Sequence, residues 1–153
     1  MRTALTSVLF WFVALLIAAP IVVFFGPTLE EKYFPVLGEQ IVTVKRDGNT
    51  IVFSNVVHKL RDCRVVEVTY SMSRVRGDIV DWAPLAVRNL TALGPDGTAT
   101  YPPGVIGTGP FIAAIPDLFL DATSIQGLIV YDCHNGLLWN TNQVFGPFPI
   151  PPA

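Results

Sequence analysis

Charge is scarce in this chain: only 14% of its 153 residues are Asp, Glu, Lys or Arg, and the net charge is −2. Nucleic-acid-binding proteins usually carry a strongly basic surface, so we predict no nucleic-acid partner. Catalytic motifs are also missing. Ser71 and Ser73 lie in no Gly-x-Ser-x-Gly turn, and Gly104, Gly107 and Gly109 are not followed by the lysine of a phosphate-binding loop. We therefore expect neither an enzyme nor a cofactor.

The chain has one long hydrophobic run, from Ala4 to Phe25, and no charged residue interrupts it. As a helix it would be about 33 Å long, close to the thickness of a bilayer's hydrocarbon core. A cleaved signal peptide is the alternative, but the run is too long and Ile17–Pro20 makes a poor cleavage site. We predict one membrane-spanning helix that ends at Gly26-Pro27, where glycine and proline stop a helix.

The flanks of this run suggest an orientation. Arg2 precedes the run, and Glu30, Glu31 and Lys32 follow it. The short positive tail and the cysteine pair described below favour an amino terminus in the cytoplasm and a carboxyl terminus outside it. The predicted organisation is a cytoplasmic tail (1–3), a transmembrane signal-anchor helix (4–25), a juxtamembrane linker (26–38), an extracytoplasmic periplasmic or extracellular domain (39–149) and a Pro-rich tail (150–153).

Long helices are not expected beyond the span, because 13 prolines and 12 glycines are spread over the chain. Residues 40–45 and 50–57 are rich in β-branched side chains and flank Asp47-Gly48, which predicts a tight hairpin. The glycine-rich and proline-rich stretch 98–110 is predicted to be a loop. About seven to nine short strands indicate an all-β, immunoglobulin-like sandwich, with a small closed β-barrel as the alternative. We expect Trp82 and Trp139 in its core.

Cys63 and Cys133 are the only cysteines, and each falls on a strong predicted strand, 61–72 and 125–133. An even cysteine count in an extracytoplasmic domain predicts a disulfide. His58 and His134 lie close to them in sequence, so the four residues are an alternative zinc or copper site. However, adjacent residues of a strand, such as Cys133 and His134, point to opposite faces. We predict the disulfide and no bound metal.

Two pairs of aspartates could support hydrolysis: Asp78 with Asp81, and Asp117 with Asp121. Both pairs lie near predicted turns, where carboxylates usually accept hydrogen bonds from the local backbone. The alternative function is a metal-binding (zinc or copper) or hydrolytic extracytoplasmic domain that uses His58, His134 and the nearby cysteines and aspartates.

The carboxyl-terminal stretch alternates apolar residues with prolines, which predicts an extended segment at a sheet edge. Phe145, Phe148 and Ile150 form its candidate partner-binding strip. We expect Phe145 and Phe148 to lie against their own domain and residues Ile150 to Ala153 to remain for a partner or solvent. The predicted function is a single-pass membrane-anchored structural or interaction protein. It presents a disulfide-closed β-sandwich to a protein partner in a membrane or envelope complex, or to another copy of itself.

Overall fold

The structure is a computed structural model that describes residues 2–89 and 101–152. One amino-terminal helix, α1, runs from Arg2 to Tyr33 and precedes a mostly β domain. The strands are β1 (Leu37–Asp47), β2 (Thr50–Lys59), β3 (Arg64–Arg76), β4 (Ile79–Pro84), β5 (Val87–Asn89), β6 (Gly104–Ala114), β7 (Ser124–Asp132) and β8 (Thr141–Pro149), with a short 3-10 helix at Asp117–Phe119.

Helix α1 is long and apolar enough to cross a membrane: an 18-residue stretch of its segment Phe10–Tyr33 has a mean hydropathy of 2.4. The prediction that the helix ends at Gly26-Pro27 is wrong, because it continues for nearly two more turns. Only residues 34–36 connect α1 to β1, so the predicted linker 26–38 is mostly helix and strand. Contacts between the end of α1 and the domain, described below, support these last turns.

The strands form two separate antiparallel sheets of four strands, in the orders β1-β2-β6-β5 and β4-β3-β7-β8. Neither sheet closes on itself, so the barrel alternative is wrong and a sandwich is the consistent arrangement. The predicted hairpin is confirmed, because β1 and β2 pair up to Asp47 and Thr50. Gly48 in its turn has a φ of 56°, a conformation that glycine adopts without steric cost.

Part of the stretch predicted as loop, 98–110, is a strand, because β6 begins at Gly104 and pairs with β2 along its length. Residues 98–100 lie outside the described residues. Glycines lower strand propensity, but the backbone still forms the ladder of hydrogen bonds. Phe53 of β2 pairs with Phe111 of β6, and Asn55 pairs with Thr108. The register therefore shifts by one residue at Gly109-Pro110.

The apolar core lies between the sheets in two clusters. The larger cluster is at the end of the sandwich far from α1, and includes Ile51, Phe53, Met72 and Ile125. The smaller cluster is at the end near α1, and consists of Val36, Leu37, Val57, Cys63 and Tyr131. The prediction for Trp82 is wrong, because its side chain is 50% exposed on β4. Trp139 is partly buried, but it packs against α1 rather than in the core.

The carboxyl-terminal stretch forms β8, an edge strand, where prolines are tolerated because one side of the strand has no partner. Phe145 is 6% exposed and lies edge-on to the ring of Tyr70, so it contacts its own domain as expected. Phe148 is partly buried and adjoins Phe145. The expectation for Ile150 is wrong: its side chain is 8% exposed within the larger cluster, and its N–H donates to Thr123 O. Because of the register in which β8 pairs with β7, Ile150 lies over the core.

Candidate functional site

Glu30, in the last turns of α1, is a carboxylate with only 7% of its surface exposed. Its Oε2 accepts hydrogen bonds from His134 Nε2 at 2.9 Å and from Trp139 Nε1 at 2.6 Å. Its Oε1 forms an ion pair with Arg61 Nη2 at 2.6 Å. A buried charge is costly unless it is paired, so these contacts hold the helix end against the domain. We call Glu30, Arg61, His134 and Trp139 the membrane-proximal joint.

Trp139 packs directly on the backbone of α1 at Gly26. A Cβ atom added to Gly26 would lie 2.3 Å from Trp139 Cη2, far inside van der Waals contact. Glycine is therefore required here for close packing between helix and domain, and not to end the helix. The Trp139 ring also meets the His134 ring edge-on, with 5.4 Å between the ring centroids.

Asp132, the last residue of β7, orients the loop that carries His134. Its Oδ1 accepts the N–H groups of Gly136 at 2.9 Å and His134 at 3.1 Å, and its Oδ2 accepts from Arg64 Nη2 at 3.0 Å. The Gly136 N–H does most to hold the pKa of the Asp132 carboxyl below its ordinary value. Burial opposes this shift, while His134 N–H and Arg64 add to it.

The predicted disulfide is confirmed: Cys63 and Cys133 are bonded, with their Cα atoms 4.4 Å apart. Cys63 lies in the connection from β2 to β3, which also carries Arg61. Cys133 lies in the connection from β7 to β8, which also carries His134. The bridge therefore links the two segments that hold Glu30.

Gln143 on β8 and Arg61 fix the short connection between α1 and β1. Gln143 Oε1 accepts the N–H groups of Val36 and Leu37, at 3.1 and 2.8 Å, and its Nε2 donates to Leu37 O at 2.8 Å. Arg61 Nη1 donates to Phe34 O at 2.9 Å. The Gln143 amide uses both its oxygen and its nitrogen on the same short backbone segment, which restricts the conformation of that segment. The domain is therefore held at a defined position on the helix end.

The structure does not bring the alternative metal ligands together. Both cysteine sulfurs are in the disulfide, His58 is exposed on β2, and the His134 ring bonds Glu30. Within residues 2–89 and 101–152, no group of three or more His, Cys, Asp or Glu side chains could hold a metal ion.

The predicted aspartate pairs are rearranged around an arginine. Arg74, with 7% of its surface exposed, pairs with Asp81 at 3.0 Å and with Asp121 at 3.5 Å, one aspartate from each predicted pair. Its guanidinium also lies over the Phe119 ring, 4.3 Å from the centroid. These two carboxylates therefore neutralise a buried cation.

A cavity of about 550 Å³ lies between the sheets at the end near α1, and we call it the inter-sheet cavity. A volume of this size is typical of small-molecule sites. Its lining comes from both sheets and is mainly apolar, and it includes Asn55, Val57, Lys59, Val68, Tyr70, Ile106 and Tyr131. Burial raises the pKa of Tyr70 to about 12 and raises that of Tyr131 further, so both phenols are neutral at physiological pH.

Sequence reasoning missed Glu30, Gln143 and Lys59, which carry the joint and the polar part of the cavity. Glu30 looked like an ordinary charge after a membrane span, and Gln143 like the polar first residue of a short strand. Lys59 has a weak signal in retrospect, because it continues the alternation of inward residues Asn55 and Val57 on β2. Only the packing of the sheets shows that this alternation ends in a buried cation.

Comparison with known proteins adds no identity to this description. No protein-family model, no curated protein and no solved structure matches the chain.

Proposed function

We propose that this is a single-pass membrane protein whose β-sandwich lies outside the cytoplasm and binds a protein partner in a membrane or envelope complex. The apolar helix supports the anchor. The membrane-proximal joint supports presentation, because it fixes the domain to the end of that helix rather than leaving it on a flexible tether. The disulfide supports the compartment, since such bonds persist in oxidising environments and are rare in the cytosol.

The proposed domain class is immunoglobulin-like. Such domains place their first, second, fifth and fourth main strands in one sheet and the remaining strands in the other. Here the order β1-β2-β6-β5 follows that arrangement when β4 is taken as the extra strand beside β3. The second sheet, β4-β3-β7-β8, then corresponds to the opposite sheet of the sandwich. Sandwiches of this kind commonly act through their edges and loops.

One observation carries the partner-binding proposal: an apolar face on the hairpin of β3 and β4. Val75 pairs with Val80, and Trp82 lies two residues along β4 on the same face. Their exposed fractions are 58%, 49% and 50%. Exposed tryptophan among aliphatic residues is typical of the energetic centre of protein interfaces. We call Val75, Val80 and Trp82 the hairpin face.

The hairpin face is well placed to meet a partner. β3 begins at Arg64, beside Asp132 and the joint, and it ends at Arg76, about 40 Å farther along at the usual strand rise. β4 is an edge strand, so the hairpin also offers unpaired backbone groups beside its apolar side chains. The face therefore projects away from the membrane end of the domain.

Site-specific photocrosslinking in cells tests the proposal. A photoreactive residue at Val80 is expected to give a defined protein adduct, and one at Ile41, an exposed residue of β1, is expected to give none. The change Trp82→Lys should abolish the Val80 adduct while leaving the thermal unfolding of the purified protein unchanged. Equal adducts from Val80 and Ile41, or an adduct that survives Trp82→Lys, would contradict the proposal. An adduct of twice the chain's mass would identify the partner as a second copy.

Orientation has its own test. Protease added to intact cells with a permeable outer layer should digest the domain. Digestion only after lysis of the inner membrane would contradict the extracytoplasmic placement.

A further inference from the structure

The inter-sheet cavity is distinct from the hairpin face, and it opens between two strand edges. β4 pairs with β3 only from Ser71 onwards, and β5 pairs with β6 only from Phe111 to Ala113. Among the described residues, the earlier halves of β3 and β6 therefore have no neighbouring strand on that side. Between the described strands, these two edges therefore leave the cavity open.

Lys59 supplies the buried cation in the cavity wall, whereas the acidic lining residue Glu67 is exposed on β3. The residue is 2% exposed, and its Nζ donates to the carbonyl oxygens of Cys63, at 2.8 Å, and Tyr101. Within residues 2–89 and 101–152 only these two carbonyls accept from Nζ, which leaves one of the three ammonium donors for a further partner. Among the described residues, no carboxylate lies within ion-pair distance of Nζ. Asp62 acts on the ammonium only from beyond that distance, and a buried cation with no carboxylate in contact is complementary to an anionic group.

Asn55 supplies a second polar point, farther from the membrane end. Asn55 is 8% exposed and lines the cavity, and its buried Oδ1 has no hydrogen-bond partner among the described residues. Buried acceptors are nearly always satisfied by protein, water or ligand, so this oxygen can accept from a ligand hydroxyl. Asn55 and Lys59 lie four residues apart on the inward face of β2, about 13 Å at the usual strand rise.

The wall between these two points is apolar. Val57 lies between them on β2 and pairs in register with Ile106 on the neighbouring strand β6. Val68 and Tyr131 line the cavity from the other sheet. A ligand that fits must therefore be charged at one end and aliphatic along its length. Lys59 pairs in register with Leu37 of β1 on one side and with Gly104 of β6 on the other. The charged end of the cavity is therefore next to the start of β1 and the end of α1. An amphiphile at the membrane surface would meet the cavity at this end.

We propose that the inter-sheet cavity binds an aliphatic carboxylic acid of medium chain length. The carboxylate accepts from Lys59 at the membrane end, and the chain lies along Val57 and Ile106. A hydroxyl at the far end of the chain, where present, donates to Asn55 Oδ1.

The test uses the full chain in dodecylmaltoside micelles and a lauric acid that carries a diazirine in its chain. After irradiation, the labelled residues are located by peptide mass spectrometry. Labels are expected on β2, β3 and β6 around the cavity. Labels on α1 report partition of the probe into the micelle, and they serve as an internal standard in every sample.

Two variants test the site from different sides. Lys59→Met keeps the aliphatic stem and removes the charge, and should lower cavity labelling relative to α1 by about tenfold. Lys45→Met, a matched change on the exposed face of β1, should leave it unchanged. Val68→Phe fills the cavity from the opposite wall, and should lower labelling even if Lys59→Met destabilises the fold. Unchanged labelling in a folded Lys59→Met or Val68→Phe variant would overturn the proposal.

Competition with unlabelled compounds tests the chemistry. Lauric acid should displace the probe, dodecanol should displace it about tenfold less well, and ω-hydroxylauric acid should be the strongest competitor. Asn55→Leu should remove the advantage of the ω-hydroxy acid. Equal competition by dodecanol and lauric acid would overturn the proposal, because the carboxylate would then contribute nothing.

Discussion

The two ends of the sandwich are held together by different kinds of interaction. The end far from the membrane helix is packed with apolar side chains from both sheets, among them Ile51, Phe53 and Met72. The end near the helix has a smaller apolar cluster, a disulfide, several directed hydrogen bonds and the inter-sheet cavity. The stability of the first end comes mainly from apolar area removed from water. The stability of the second comes largely from hydrogen bonds, an ion pair and a disulfide, which require a defined geometry.

The two kinds of interaction have different physical consequences. Apolar packing stabilises without fixing direction, because the hydrophobic effect is non-directional. The end near α1 holds a defined position relative to the helix and also leaves space between the sheets. Charged hydrogen bonds at Glu30, the amide contacts of Gln143 and the disulfide can do both, because each fixes a few atoms without filling the interior.

The largest effect is expected from removing the disulfide. Replacing both Cys63 and Cys133 by serine should lower the free energy of unfolding by about 4 kcal/mol, since the bridge closes a loop with a sequence separation of 70. Chemical denaturation of the full chain in micelles measures this. Reductant should destabilise the wild type to the same level and leave the double variant unchanged. Equal stability of both proteins without reductant would show that the bridge does not support this end.

The apolar end should be nearly as sensitive to a single truncation. Met72→Ala removes a fully buried side chain from the larger cluster and should cost about 3 kcal/mol through lost burial and the cavity left behind. Val56→Ala, at an exposed position of β2, should cost under about 1 kcal/mol. Reductant should not alter the Met72→Ala effect if the two ends are stabilised independently. Strong dependence on reductant would contradict the contrast between them.

A smaller effect is expected at the membrane-proximal joint. Glu30→Gln removes the charge that Arg61 and His134 share, and should lower the free energy of unfolding by about 1–2 kcal/mol. Glu31→Gln, at the exposed neighbouring position, should change it by less than about 0.5 kcal/mol. Trypsin should also cut after Lys32 faster in the Glu30 variant, because the helix end is released. Equal cleavage of the two variants would argue against the joint.

The smallest effect is expected from the charge of Asp132, whose partner Arg64 is 56% exposed at its side chain. The folded pKa of Asp132 is lowered, so its stabilising contribution is present above the ordinary value of 3.8 and is lost as the pH falls through the folded pKa. Asp132→Asn should therefore lower stability near neutral pH, and its difference from the wild type should shrink below 3.8. Thermal unfolding across this range measures the difference. A difference that stays constant would contradict the assignment.

Several features were predictable because they depend on short stretches of sequence. The apolar run, the hairpin at Asp47-Gly48 and the edge position of the proline-rich strand all follow from local residue patterns. The disulfide followed from the cysteine count together with the predicted compartment. The helix end was not predictable in this way, because Trp139, more than a hundred residues later, packs on Gly26 and supports the turns beyond it.

The sequence by itself determined that the chain carries one membrane-length apolar helix and a β-rich domain closed by its two cysteines, because hydropathy, strand pattern and cysteine count are local or simply counted. Only the tertiary structure decided what the polar residues do. Glu30 became the centre of the joint, Ile150 part of the core, and Lys59 a buried cation in an apolar cavity. Each depends on contacts between distant segments. The register of the strands and the facing of the two sheets set those contacts, and no local pattern encodes them.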